Sequence, residues 1–162
     1  QGKPLSGKIE QRLRELRISL PAAQQPRVAK IKGAKISGST LYVSGMIPQW
    51  EGELSFVGEI GREFTVAEGQ QAARLCALNV LAQAQLALGG DLDRVQHIVR
   101  VGGFVNCLPE VVEVGAVVNG ASELFIEIFG DAGQHARTAV GAMSMPLGVA
   151  VEIEAIMEIA PQ

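Results

Sequence analysis

The spacing of apolar residues changes several times along the chain, and each change marks an element. Residues 7 to 17, GKIEQRLRELR, set Ile9, Leu13 and Leu16 at helical intervals among charges. That pattern predicts a short amphipathic helix laid on another element. Pro21 and Pro26 bracket AAQQ as a linker. RVAKIKGAKISGSTLYVSG then reads as two strands, with Gly33 near the turn and TLYVSG carrying the stronger β signal. PQWEGELSFVGEIG, punctuated by glycines, reads as a loop with one short strand.

A long helix is predicted from Thr65 to Leu88. Thr65 and Glu68 have the spacing of a capping box, Leu75, Leu78, Ala82 and Leu86 make an apolar stripe, and Gly89–Gly90 ends it. A strand follows over 95–105, with Val95, His97, Val99, Val101 and Val105 sharing a face and His97 in the core. A second long helix runs from about 114 to 129 and stops at Gly130. Two strands close the chain, over 136–143 and 149–159, and the short MPLG between them predicts a hairpin. Two long helices among several strands indicate an α+β layer, with the helices on one sheet face. The other face then needs a cover, which a second copy of the chain supplies most economically.

Composition narrows the function. Only 19% of the residues are charged and 48% are hydrophobic, which excludes a disordered chain. A net charge of −3 provides no field for nucleic acid, and five Phe, one Tyr and one Trp leave few rings for stacking bases. No apolar run is long enough to span a membrane, and the absence of a signal-peptide core favours the cytoplasm. Cys76 and Cys107 lack metal-site spacing and read as reduced bystanders.

The last two strands carry the chemistry. Val149, Val151, Ile153, Ala155, Met157 and Ile159 alternate with Glu152, Glu154, Ile156 and Glu158, while Arg137, Ala139, Gly141 and Met143 share one face of the strand before. Two readings stay open. Arg137 and a glutamate can form a structural ion pair, the reading kept for Glu154 and Glu158. Alternatively, the guanidinium holds a carboxylate ligand while a glutamate orients a water. His135 points to the same face as Arg137 and can line the cleft, and Trp50 reads as a packing residue.

LYVSGMIP (41–48), VVNGASELF (117–125), HARTAVGAMSMPLGV (135–149) and VEIEAI (151–156) resemble the YjgF/RidA family in its longer bacterial branch. That family also carries the labels endoribonuclease L-PSP and translation-initiation inhibitor. The resemblance covers about residues 27–159, so residues 1–26 are expected to be an N-terminal extension and 27–162 the family domain. It implies a chorismate-mutase-like fold and a homotrimer whose sheets face inward as a barrel, with clefts between subunits. It implies hydrolysis of small carboxylate-bearing imines or enamines to 2-oxo acids and ammonia, with no cofactor and no metal. By the same resemblance Arg137 holds the substrate carboxylate and Glu152 positions the attacking water. Ser44, Gly45 and Asn119 complete the substrate site. Ala139 stands where many members have cysteine, so no thiol acts there. The alternatives carried forward are a carboxylate-binding regulatory trimer without turnover and an RNA-cleaving protein.

Overall fold

A computed structural model of the chain describes residues 7–26 and 29–161. The boundary expected at 26/27 falls beside residues 27 and 28, which lie outside the described residues. The strands are β1 (Ala34–Ser37), β2 (Thr40–Met46), β3 (Gln49–Trp50), β4 (Glu53–Leu54), β5 (Val95–Asn106), β6 (Ala136–Ala142) and β7 (Val151–Ile159). The helices are α1 (Lys8–Glu15), α2 (Val66–Ala87) and α3 (Val114–Phe129). The main sheet has the order β1-β2-β7-β5-β6, and β3 and β4 form a separate two-stranded ribbon.

β7 alternates buried and half-buried positions from end to end, as its apolar and acidic residues require. Its buried side chains meet α2, while α3 lies over β5 and β6, so both long helices cover one face. The other face, bearing Tyr42, Arg100, Glu152, Glu154 and Glu158, is left open by the described residues. This is the α+β layer that the hydrophobic pattern predicts.

Helix α2 begins where expected. The Thr65 hydroxyl accepts from the Glu68 amide at 3.1 Å, and the Glu68 carboxylate accepts from the Thr65 amide at 3.1 Å, closing the capping box. Its buried line is instead Ala72, Ala73, Cys76, Ala77, Val80, Leu81 and Ala84. The expected stripe is displaced: Leu86 is exposed and Leu75 and Leu78 are half-buried. Small residues win the inner face because the helices nearly touch; a β-carbon at Gly120 of α3 would collide with the Gln70 carbonyl of α2. Helix α1 lies against α3 through Leu13, and its first amides, Lys8 and Ile9, donate to the Asp93 carboxylate at 2.9 Å each.

Three expectations about strands fail. The final pair is not a hairpin: β6 pairs in parallel with β5, and β7 lies on β5's other side, between β5 and β2. The backbone after MPLG is already engaged elsewhere. The Ala150 amide donates to Phe56, its carbonyl accepts from Asn106, and Val149 bridges Val57. A parallel β5–β6 pair also needs the crossover that α3 supplies. His97 is not in the core either. Register shifts between Val95 and His97 and between Ile98 and Arg100 break the alternation, burying Ile98 and exposing His97. The β1–β2 turn uses Gly38, at φ 61°, rather than Gly33, whose backbone packs on the Gln83 side chain. No helix among the described residues is long and apolar enough to cross a membrane.

Candidate functional site

The residues singled out in the sequence fall into two groups, one on each face of the sheet. The first surrounds Arg137. Edge strand β6 points this side chain toward the helix layer, as its partner Val101 on β5 shows by its complete burial. There α3 offers acceptors at intervals of three and four residues, which share one helix face. One terminal guanidinium nitrogen of Arg137 donates to Asn119 Oδ1 at 2.7 Å and to Ser122 Oγ at 3.1 Å. The other donates to the Gly115 carbonyl at 3.3 Å.

No carboxylate lies within 4.0 Å of this guanidinium among the described residues, so its charge is held by neutral acceptors alone. Three of its five N–H groups are engaged, and two remain for a ligand. Within the chain, then, the described residues give Arg137 hydrogen bonds and no ion pair. Glu154 pairs with Arg100 at 3.7 Å, and Glu158 with His97 at 2.7 Å.

His135 extends the same group. Its Nδ1 lies 2.7 Å from the Gly133 carbonyl and its Nε2 lies 2.8 Å from Ser122 Oγ. A carbonyl only accepts, so Nδ1 carries the proton, and in the neutral ring Nε2 accepts from the Ser122 hydroxyl. Burial pushes His135 below the usual imidazole range and the Arg137 charge acts in the same sense, against the Gly133 hydrogen bond. Ala139 lies on this same face, half-buried against the core. Ser122 and the Gly115 carbonyl were not singled out in the sequence. Their signal was the spacing 115, 119, 122 along one helical stripe.

The second group surrounds Glu152 on the open face. A shift in register between Val43 and Met46 places Ser44 and Gly45 opposite the acidic stretch of β7. A β-carbon at Gly45 would stand 2.6 Å from Glu152 Oε1, so only glycine leaves this carboxylate its place. Burial raises the Glu152 pKa above the usual carboxylate range, and the charge of Glu154 adds to it. Gly45 and Glu152 line a cleft of about 670 Å³. Ser44 turns away from it: its hydroxyl donates to the Lys32 carbonyl at 2.7 Å, and the residue borders a smaller hollow of about 280 Å³ beside Lys32, Lys35 and Arg100. Trp50 is exposed, outside both the core and the cleft lining.

The two groups cannot serve one small molecule within one chain. Glu152 is in register with Phe104 and, across β5, with Val140, three residues beyond Arg137. Two strand spacings and three residues separate the α-carbons by about 14 Å, and the odd offset puts the side chains on opposite faces. The thiols stay outside both groups. Cys76 is buried and donates to the Val151 carbonyl, and burial raises both Cys76 and Cys107 above the ordinary thiol range. Among the described residues no three His, Cys, Asp or Glu side chains converge at metal-binding spacing.

Residues 10–158 match the family described as "YjgF/chorismate_mutase-like, putative endoribonuclease". Protein TCP17 of Trypanosoma cruzi is 44% identical over 155 residues, which span 95% of this chain and 96% of that protein. The solved structure of Atu1372 from Agrobacterium tumefaciens, a protein of unknown function, is 46% identical at a TM-score of 0.87, covering 94% of this chain and 92% of that one. A more distant likeness is TdcF of E. coli, solved with bound serine: 25% identity and a TM-score of 0.59, over 87% of this chain and 94% of that one. The match across nearly the whole chain, together with an α+β layer of YjgF type, places this protein in the YjgF/RidA family.

Proposed function

We propose that the protein hydrolyses small reactive imines and enamines that carry a carboxylate, in sites shared between copies of the chain. Arg137 of one copy holds the carboxylate, and Glu152 of a neighbouring copy handles the water. The observation that carries this reading is the Arg137 guanidinium, held in place by Asn119, Ser122 and Gly115 with no carboxylate beside it among the described residues. Such a group is a preformed seat for an anion. The serine bound in TdcF is a ligand with the same carboxylate chemistry.

Glu152 supports the second half of the reaction. An enamine first moves a proton to carbon and becomes the imine. Water then adds to the imine carbon while Glu152 takes one of its protons, and the nitrogen gains a proton to give a carbinolamine. The C–N bond breaks as the C=O bond forms, and one imine and one water become one 2-oxo acid and one ammonia. A carboxyl group whose pKa is raised by burial both accepts and returns that proton more readily near neutral pH than an exposed one. Holding the substrate and the water together supplies much of the rate.

The test is a mixing experiment. Arg137→Ala and Glu152→Gln are each expected to lose turnover of freshly generated 2-imino acids, followed as ammonia and 2-oxo acid. After dissociation and random reassembly, about a quarter of the sites regain both native groups, so activity returns to about a quarter of wild type. A mixture as inactive as its components would remove the shared site. Wild-type protein that binds 2-oxo acids without accelerating hydrolysis would leave a binding protein instead.

A further inference from the structure

Three hydrogen bonds run in series behind the Arg137 guanidinium. Arg137 donates to Ser122 Oγ at 3.1 Å, the Ser122 hydroxyl donates to His135 Nε2 at 2.8 Å, and His135 Nδ1–H donates to the Gly133 carbonyl at 2.7 Å. The last acceptor sets the direction of all three. A carbonyl only accepts, so the ring proton sits on Nδ1 and Nε2 is left as an acceptor. Bonds aligned head to tail in this way polarise one another in the same sense.

The fold seats the ring with care. Gly133 packs on the backbone of α3, where a β-carbon would collide with the Phe125 carbonyl. The imidazole then stands edge-on to the Phe125 ring, with centroids 6.1 Å apart and planes at 88°. Ser122 is buried, and every one of these contacts lies within one chain, so none depends on what a neighbouring copy covers. Burial and the Arg137 charge both favour the neutral ring, against the Gly133 hydrogen bond.

A serine hydroxyl left to itself is ambiguous, because in a helix it readily turns its proton to the carbonyl four residues back. Held by Nε2, the Ser122 hydroxyl has its one proton committed, and only lone pairs remain for Arg137. Together with Asn119 Oδ1 at 2.7 Å it occupies one terminal nitrogen of the guanidinium, while Gly115 takes one N–H of the other. The donors left over are Nε–H and one terminal N–H, a pair suited to the two oxygens of a carboxylate.

We propose that His135 is a positioning residue for the anion seat: through Ser122 it fixes which edge of the Arg137 guanidinium meets the substrate carboxylate. This rests on the anion-binding half of the reading above and not on turnover.

The test reads binding and turnover separately. Pyruvate binding is followed by titration calorimetry, and turnover on the alanine-derived imine generated in place by an amino acid oxidase with catalase. His135→Asn keeps a donor for Gly133 and loses the acceptor for Ser122, whereas His135→Gln keeps the acceptor and loses the donor. Both lose the ring contact with Phe125, so a purely structural role would treat them alike. In His135→Asn the pyruvate Kd and the KM are expected to rise about 3–10-fold with kcat within about twofold, and His135→Gln should stay within about twofold of wild type. In a Ser122→Ala background His135→Asn should add less than about twofold. Equal weakening by both variants, or an effect of His135→Asn that persists in full without Ser122, overturns the proposal, as does a fall in kcat alone. Ring-nitrogen NMR shifts of the wild-type protein test it without any variant, and a proton on Nε2 rather than Nδ1 overturns it as well. Wild type that binds pyruvate but hydrolyses no imine removes the hydrolase, while the Kd values still decide this proposal. Wild type that binds no carboxylate removes the seat and the proposal with it.

Discussion

The Arg137 side and the Glu152 side are built on opposite principles. Arg137 stands on an edge strand, exposed, and is aimed by the hydrogen bonds it donates to one stripe of α3. Its cation needs no burial to be charged, and neutral acceptors fix its direction without spending its charge. Glu152 stands on a central strand, half-buried, and is placed by the absence of a side chain at Gly45. Its environment disfavours the charged form. In the proposed reaction one side serves as a rigid anion seat and the other as a tuned proton acceptor. The comparison teaches that position and protonation are controlled by different devices, hydrogen bonds in one case and desolvation in the other.

The sharpest way to break this contrast is Arg137→Ala. Removing two charge-assisted bonds to the substrate should cost about 10²–10³-fold in kcat/KM, with thermal stability near wild type because the side chain is exposed. A loss of stability of several degrees instead would make Arg137 a structural residue. Gly45→Ala addresses the other side. The new methyl forces the Glu152 carboxylate off its place, and a displacement of about an ångström should cost about 10–100-fold in kcat. The backbone there suits alanine, so the melting curve should hardly move. A smaller effect is expected for Ser122→Ala, which leaves His135 Nε2 and one Arg137 N–H without their shared partner. KM should rise by about 3–10-fold at nearly constant kcat, since only the aim of the guanidinium changes. A fall in kcat alone would put Ser122 on the reacting atoms.

The least change is expected from Glu154→Gln, read as a pH profile. Glu152 must be ionised to accept a proton, so its raised pKa sets an acid limb above the ordinary carboxylate range, with activity lost as pH falls through it. Burial is the larger cause and Glu154 the smaller. Neutralising Glu154 should move the limb to lower pH without bringing it down to that of a free carboxylate. An unmoved limb would assign the titration to another group.

Much of this was legible before any coordinates. The capping box at Thr65 and Glu68, the alternation of β7 and the uncovered sheet face all follow from local spacing, and local spacing is dictated by 3.6- and 2-residue periods. Arg137, Asn119, Gly45 and Glu152 were visible as residue types in quotable motifs. Their partition between two faces was not. Parity along 149–159 placed Glu152 correctly relative to Ile153. The relation of β7 to β6, however, depends on which strand lies between them, and that is decided where the Ala150 amide donates to the Phe56 carbonyl and the Ala150 carbonyl accepts from the Asn106 amide. The same holds for His97, whose exposure comes from shifts in register that alternation alone does not reveal, and for α2, whose leucines gave way to alanines at a close helix crossing.

By itself, then, the sequence determined the long helices, the faces of the last strand and the family, and it supplied the candidate side chains for chemistry, because each depends on neighbours a few residues apart or on residue identity. Only the tertiary structure decided the strand order, the neutral cradle of Arg137 and its separation from Glu152 by the thickness of the sheet. These depend on pairings between segments as far apart as Thr40 and Glu158, where one intervening strand or one extra residue in register turns a side chain to the other face.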